Sequence, residues 1–202
     1  MKRAGTRFCS TRCRVAAHRA RRRQQERPSC PLPAAMVEAR RWVNHDAAKV
    51  PLDPRTGRRA SVSDPATWGT YQQATARNDR LGYVLGEGIG CIDLDHCLDE
   101  QGRPTQAAAD LVEFYAGSYI EVSPSGRGLH IWGTAPERSG FRRTWKGQAV
   151  EFYSRGRYIT ITGRVFRPGT LLPLWQAAQR ASDPTRRSEE HTSELQSPSW
   201  IS

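Results

Sequence analysis

Short β-forming segments separated by glycine-containing turns dominate the second half of this 202-residue chain and constrain its fold more than any other feature. The runs "SYIEVSPSGRGLHIWG" and "AVEFYSRGRYITITG" place aromatic and β-branched residues on both sides of a turn. This pattern is typical of short strands. Helical patterns precede and interrupt the strands, and one of them starts at Thr105 and stops at Gly117. The sequence therefore predicts an α+β domain with a mostly antiparallel sheet.

The same signals place individual elements. We expect strands at about 82–85 and 90–95, and a pair of strands joined around Arg155 and Gly156. The expected helices are a short amphipathic one from Met36 to Val43, one that begins at Asp64 as its N-cap, and one with Pro173 in its first turn.

The charge of the chain is unevenly distributed. The formal net charge is +11, but residues 1–30 carry ten Lys or Arg against one acid, Glu26. A basic arm on a nearly neutral domain indicates a nucleic-acid partner, although solvated basic tails are also common. No run of eighteen apolar residues and no secretory signal is present, so we expect a cytoplasmic protein without a membrane partner.

Composition divides the chain into four zones. They are a basic arm over 1–35, a folded domain over 36–178, a linker over 179–186 and a tail over 187–202. The tail "RSEEHTSELQS" resembles a translated sequencing adapter, and we expect it to be foreign to the protein. The five cysteines are odd in number and unevenly spaced, which favours free thiols or a metal over disulfides. Cys91 and Cys97 are expected to be buried thiols.

Two carboxylates stand close together in "CIDLDHC". Asp93 and Asp95 are two positions apart in a predicted strand, so both point to the same face. Such a pair is tolerable if both acids face water, if one holds a proton, or if a cation lies between them. Glu151 and His130 occupy similar apolar-flanked positions, and all four could share one sheet face. Three carboxylates are typical ligands of Mg²⁺ or Mn²⁺, but each acid could also be a solvated strand residue.

Cationic and hydroxyl groups surround these acids in the sequence. "SPSGRGLH" contains Ser123, Ser125 and Gly126, and successive amides in such a turn can bind phosphate, although Gly-rich hairpin turns are common. Arg155 and Arg157 follow Glu151 closely and suit a triphosphate or a template strand, unless they are surface charge.

The ordered set "CIDLDHC", "EVSPSGRGLHIWG" and "VEFYSRGRYITITG" resembles the archaeo-eukaryotic primase superfamily, in its phage and plasmid primase-polymerase group. The resemblance covers about residues 36–178. It implies an RNA-recognition-like sheet that joins nucleoside triphosphates on a single-stranded DNA template, with a replicative helicase as a further partner. The superfamily more broadly has Asp where this chain has Glu151.

The resemblance also implies roles for individual residues. Two divalent ions, Mg²⁺ or Mn²⁺, would be held by Asp93, Asp95 and Glu151. The phosphates of the incoming nucleotide would contact a second set, which consists of Ser123, Ser125, the Gly126 backbone, His130 and Arg157.

The N-terminal "FCSTRCRVAAHRARRR" resembles the second half of a small bacterial zinc-finger motif. Cys9 and Cys13 have the spacing, but no first cysteine pair precedes them, and zinc requires four ligands. His18 or Cys30 could complete the site, the first pair could have been lost, or the cysteines could be idle.

Two other classes of function compete with a nucleotidyltransferase. One is a non-catalytic nucleic-acid-binding module of a replication protein, but such a binder gains nothing from clustered acids near phosphates. The other is a rolling-circle nickase, which would need paired histidines and a tyrosine nucleophile on a helix. His130 has no such histidine partner in the sequence.

Overall fold

The computed structural model describes residues 31–174 of the protein. The helices are α1 Ala34–Glu38, α2 Tyr71–Arg77 and α3 Gln106–Phe114, with a 3₁₀ turn at Pro65–Thr67. The strands are β1 Trp42–His45, β2 Pro51–Leu52, β3 Leu81–Val84, β4 Ile89–Leu94, β5 Tyr119–Val122, β6 Leu129–Thr134, β7 Phe141–Trp145, β8 Gln148–Tyr153, β9 Tyr158–Ile161, β10 Val165–Arg167 and β11 Leu172–Pro173.

The strands form two sheets. The smaller sheet has the order β2-β1-β3-β9, and the larger one has the order β10-β5-β6-β4-β8-β7, with β11 also paired to β6. The pairing of β11 with β6 is parallel, and the other strand pairs of residues 31–174 are antiparallel. The predicted α+β class with a mostly antiparallel sheet is confirmed.

Three apolar layers hold these elements together. One face of the larger sheet packs against α3, with Ile92, Ile131 and Leu111 in the contact. The opposite face packs against the smaller sheet through the fully buried Trp42, Tyr83, Cys91, Tyr119 and Trp132. The outer face of the smaller sheet is covered by the segment after β2, where Ala60 and Trp68 contact Val43 and Val84. Both sheets are therefore covered on each face over much of their area.

Several elements lie where the sequence predicts them. The strands expected at 82–85 and 90–95 are β3 and β4, each within one residue of its predicted bounds. Helix α3 begins after Thr105, whose hydroxyl accepts the Ala108 N–H at 3.3 Å, and Gly117 follows the helix with a φ of +92°. A hydroxyl N-cap and a glycine in the left-handed region are the usual ends of a helix.

Other predicted elements are wrong. The helix expected from Met36 to Val43 ends at Glu38, because Trp42 and Val43 point to opposite faces of β1 and fill different apolar layers. Asp64 caps only the 3₁₀ turn, and α2 starts separately at a capping box formed by Thr70 and Gln73. The strands around Arg155 and Gly156 do not pair, since β8 and β9 belong to different sheets.

Some predictions concern segments near or beyond the described residues. Pro173 lies in β11 rather than in the first turn of a helix, and the rest of that predicted helix lies outside residues 31–174. Residues 1–30 of the basic arm, with Cys9 and Cys13, the linker and the tail from residue 187 also lie outside this range. Cys91 and Cys97 are buried free thiols, as expected. Within residues 31–174, no helix is long and apolar enough to cross a membrane.

Candidate functional site

Two adjacent rows of side chains cross the inner face of the larger sheet. The first row pairs Tyr119, Trp132, Cys91 and Tyr153 across β5, β6, β4 and β8, and most of it lies under the smaller sheet. The second row lies two residues away from the first along each strand. It pairs Glu121, His130, Asp93 and Glu151, and Arg142 of β7 extends it. Because side chains alternate in a strand, both rows share one face. The apolar row anchors the sheets, and the polar row is the candidate site.

The structure brings His130, Asp93 and Glu151 into one line, as the alternation of the strands predicted. His130 Nε2 lies 3.7 Å from Asp93 Oδ1, and His130 Nδ1 lies 3.3 Å from Glu121 Oε1. Asp95 follows the end of β4, and its backbone carbonyl accepts a 2.7 Å hydrogen bond from the Gln148 side chain. Of the predicted Asp pair, Asp93 therefore lies within β4 and Asp95 lies just beyond its end.

Asp93 is the carboxylate of this row that has a buried oxygen without a hydrogen bond. Its Oδ1 is buried and has no hydrogen-bond partner among the described residues. Burial raises the pKa of the Asp93 carboxyl, His130 opposes this rise, and the charges of Asp95 and Glu151 add to it. A buried carboxylate oxygen without a donor is destabilised unless a proton or a cation reaches it. This observation, together with an all-oxygen donor pair, fits a hard divalent cation at Asp93 and Asp95.

The raised pKa of Asp93 makes a prediction about stability. The fold disfavours the charged form of Asp93. The contribution of Asp93 to the free energy of unfolding is therefore fully present below the ordinary carboxyl pKa of about 3.9, and it is lost as the pH rises through the raised pKa. Asp93→Asn should therefore melt at a higher temperature than the wild type at pH 7 in EDTA, and the difference should shrink towards pH 4.

Thermal unfolding monitored by circular dichroism across this pH range measures the effect. Asp79→Asn, at an exposed position, is the matched control and should show no such difference. A lower melting temperature for Asp93→Asn than for the wild type at pH 7 would contradict this account of Asp93.

Glu151 is already engaged by neighbouring side chains. Its carboxylate accepts hydrogen bonds from the Arg142 guanidinium, with which it forms an ion pair, and from the Tyr153 hydroxyl. Tyr153 in turn lies under Arg157, whose guanidinium carbon is 3.5 Å from the ring centroid. In residues 31–174, no three His, Cys, Asp or Glu side chains are arranged to hold a metal ion together. Glu151 fits a cation with the Asp pair only if Arg142 releases it.

The turn between β5 and β6 lies beside these acids. Ser123 Oγ and Ser125 Oγ are 3.0 Å apart, and Ser125 Oγ accepts the Arg127 N–H at 3.2 Å. The Gly126 N–H donates to the Ser123 carbonyl at 3.0 Å, and Gly126 has a φ of +78°. The Gly126 amide that the sequence suggested for phosphate binding is thus engaged within the turn. The two hydroxyls are the better candidates for contact with a ligand.

A pocket of about 320 Å³ brings most of the predicted site residues together. The predicted residues that line it are Asp93, Asp95, Ser123, Ser125, His130 and Arg157. Glu151 and Gly126 are not among its lining residues. The smaller sheet supplies the opposite wall through Tyr158, Ile159 and Thr160 of β9. The pocket therefore lies where the polar ends of the larger sheet meet the edge of the smaller one.

Besides Arg142 of the polar row, sequence reasoning missed two other charged residues of this region. Lys49 lines the pocket with a φ of +61°, and its carbonyl accepts a 2.5 Å hydrogen bond from the Tyr158 hydroxyl. Nothing in the Pro-rich segment around Lys49 distinguishes it from a solvated lysine. Glu121 is fully buried beside His130. Glu121 had a usable signal, since it is an acid flanked by apolar strand residues, as Glu151 is.

Comparison with known proteins relates the chain to one phage enzyme. The chain is 39% identical over 135 residues to a protein named DNA primase-polymerase from Nitratiruptor phage NrS-1. The match covers 62% of this chain and 19% of the phage protein, so the chain spans about a fifth of the length of that relative. No protein-family model matches the chain. The similarity supports a relationship to phage primase-polymerases over the matched segment.

Proposed function

We propose that this chain carries the nucleotidyl-transfer site of a template-dependent DNA primase-polymerase. The observation that supports this most is the line formed by His130, Asp93 and Glu151, beside a pocket that also contains hydroxyls and cations. Phosphoryl transfer needs positioning and charge stabilisation rather than a protein nucleophile. Acids, cations and hydroxyls around one pocket meet that need, and the phage relative is named for such an activity.

Each wall of the pocket has a separate role in this proposal. Lys49 and Arg157 bind the triphosphate of the incoming nucleotide from the side of the smaller sheet, and the Ser123 and Ser125 hydroxyls contact it from the turn. His130 contacts the incoming nucleotide through Nε2. Asp93 and Asp95 would hold Mg²⁺ or Mn²⁺, joined by Glu151 once Arg142 moves away. The bound cation would stabilise the charge that develops on the α-phosphate and on the pyrophosphate leaving group.

A route for the single-stranded template lies at the edge of the larger sheet. Arg138 and Arg143 place their guanidinium groups 5.4 and 5.2 Å from the Phe141 ring, and Phe141 stacks on Phe152 at 5.2 Å. No acid within residues 31–174 forms a salt bridge with either arginine. Arginines beside an aromatic ring suit phosphates and stacked bases of a single strand. Phe141 and Arg143 lie on the α3 face of β7, opposite Arg142 and the polar row, so we infer that the template binds there and turns around the edge strand β7 to reach the pocket.

This route predicts weaker and less salt-dependent DNA binding when the arginines are removed. Arg138→Gln with Arg143→Gln should lower the affinity for single-stranded DNA, because two phosphate contacts are lost. The slope of log affinity against log salt should fall by about 0.7 per arginine. Fluorescence anisotropy with a labelled oligonucleotide over a salt series measures both quantities.

A matched control distinguishes the loss of these two arginines from a general loss of positive charge. Arg40→Gln with Arg58→Gln removes the same charge from two exposed positions near the smaller sheet. If both double variants change the affinity and the slope equally, binding depends on overall charge and not on the edge of β7.

The proposed activity itself is tested by incorporation of labelled nucleotides on single-stranded DNA with Mg²⁺ or Mn²⁺. The competing function is a nucleic-acid-binding module without catalysis, and the engagement of Glu151 by Arg142 and Tyr153 favours it. DNA binding without incorporation by a protein that contains residues 1–186 would support the binding module. Cation-dependent incorporation would support the enzyme.

A further inference from the structure

Glu121 is a fully buried carboxylate without a Lys or Arg partner among the described residues. Its Oε2 accepts hydrogen bonds from the backbone N–H groups of Thr162 and Gly163 at 3.1 and 2.9 Å. Its Oε1 lies 3.3 Å from His130 Nδ1. A buried charge is costly unless its hydrogen bonds are satisfied. The two oxygens therefore have separate partners, the segment after β9 for one and His130 for the other.

This division of partners determines the state of the His130 ring. The two backbone N–H groups at Oε2 suit a carboxylate, which only accepts hydrogen bonds, so the proton of the contact at Oε1 is assigned to His130 Nδ1. The opposite nitrogen, Nε2, then faces Asp93 Oδ1 at 3.7 Å, and His130 lines the pocket. In imidazole, the hydrogen bond of one nitrogen decides the role of the other.

We propose that Glu121 is a positioning residue that fixes the tautomer and orientation of His130, so that Nε2 faces the incoming nucleotide as a hydrogen-bond acceptor, for example for a sugar hydroxyl. Glu121 does not itself touch the pocket, since it is fully buried and is not a lining residue. The role in nucleotide binding rests on the proposed function. The assignment of the His130 proton rests only on the hydrogen bonds of Glu121.

The Glu121→Gln variant tests this assignment with little change of shape. A glutamine has a single side-chain oxygen. The backbone N–H groups of Thr162 and Gly163 both need an acceptor, so this oxygen is expected to face them. Its NH₂ group would then face His130 Nδ1, which must become an acceptor. The proton is expected to be bound to Nδ1 in the wild type and to move to Nε2 in Glu121→Gln.

Nitrogen-15 NMR of the histidine rings in the full chain measures this directly. The signals of His130 are identified by their absence in His130→Asn. Tyr119→Phe serves as the control, because it removes a hydroxyl 3.5 Å from Glu121 Oε2 but leaves the contact with His130. The control should keep the proton on Nδ1. An unprotonated Nδ1 in the wild type, or an unchanged tautomer in Glu121→Gln, would overturn the proposal.

Kinetics then test the consequence for the nucleotide. Glu121→Gln should raise the KM for the nucleotide by about 10- to 100-fold, the usual effect of losing a partner that orients a functional side chain. Adding it to His130→Ala should cause no further loss, because Glu121 acts through His130. An additive loss would mean a separate structural role. If the NMR result holds but the wild type incorporates no nucleotide, the proposed function fails and the positioning of His130 stands.

Discussion

Alanine at both Asp93 and Asp95 should reduce nucleotide incorporation on single-stranded DNA by roughly a thousandfold or more. Both side chains line the pocket and would hold the cation of the proposed site, and losing cation-assisted charge stabilisation costs several kcal/mol in the transition state. Binding of single-stranded DNA should persist or become tighter, because negative charge near the phosphates is removed. Gel-based incorporation and anisotropy on the same preparations measure the two effects.

The matched control for this double variant is Asp79→Ala with Glu100→Ala, which removes the same charge from exposed positions. The control should incorporate nucleotides at the wild-type rate. Unfolding does not explain a loss of activity in the Asp93 and Asp95 variant if its melting temperature is at least that of the wild type, which the raised pKa of Asp93 predicts. Unchanged incorporation would rule out a cation site at this pair.

Trp132→Ala should be among the most destabilising single substitutions in the described part of the chain. Trp132 is fully buried between the two sheets, with the Tyr83 ring 6.1 Å away and the His130 ring 6.5 Å away, both edge-on. Removing a buried indole leaves a large cavity and typically costs about 3–5 kcal/mol. Urea unfolding followed by circular dichroism measures the loss of free energy of unfolding.

The Phe variants of two buried tryptophans sharpen this prediction. Trp42 Nε1 donates to the Met36 carbonyl at 2.8 Å, whereas Trp132 Nε1 has no hydrogen-bond partner among the described residues. Trp132→Phe removes an unsatisfied buried donor, and Trp42→Phe breaks a satisfied hydrogen bond. Trp132→Phe should therefore be the milder of the two. Equal losses of free energy of unfolding in the two variants would mean that the removed side-chain volume alone determines the destabilisation.

The polar row could be predicted because it follows from local alternation. Asp93, His130 and Glu151 each lie in a run with a period of two, and antiparallel pairing brings them side by side. The same reasoning missed β7, because its three middle residues, "RRT", are polar and exposed at a sheet edge. Its Arg142, which engages Glu151, was missed with it.

The opposite wall of the pocket could not be predicted by such reasoning. Strands β8 and β9 follow each other after a short turn, which favours a hairpin, but β9 pairs with β3 of the other sheet. This choice depends on Ile159 and Ile161, which fill the layer between the sheets. Lys49 and Tyr158 reach the site only through that long-range arrangement. Tertiary packing, rather than local propensity, therefore determines which strand β9 pairs with.

The late position of β9 also affects synthesis of the protein on the ribosome. Leu81 of β3 pairs with Ile161, which lies 80 residues later in the chain. Until β9 emerges, β3 is an edge strand with unpaired backbone groups, and such edges invite pairing with other chains. Strands β1, β2 and β3 are synthesised early, but β9, the partner of β3, is synthesised only after all the strands that carry the acids of the polar row. The step that closes the pocket wall thus also protects the nascent chain from aggregation.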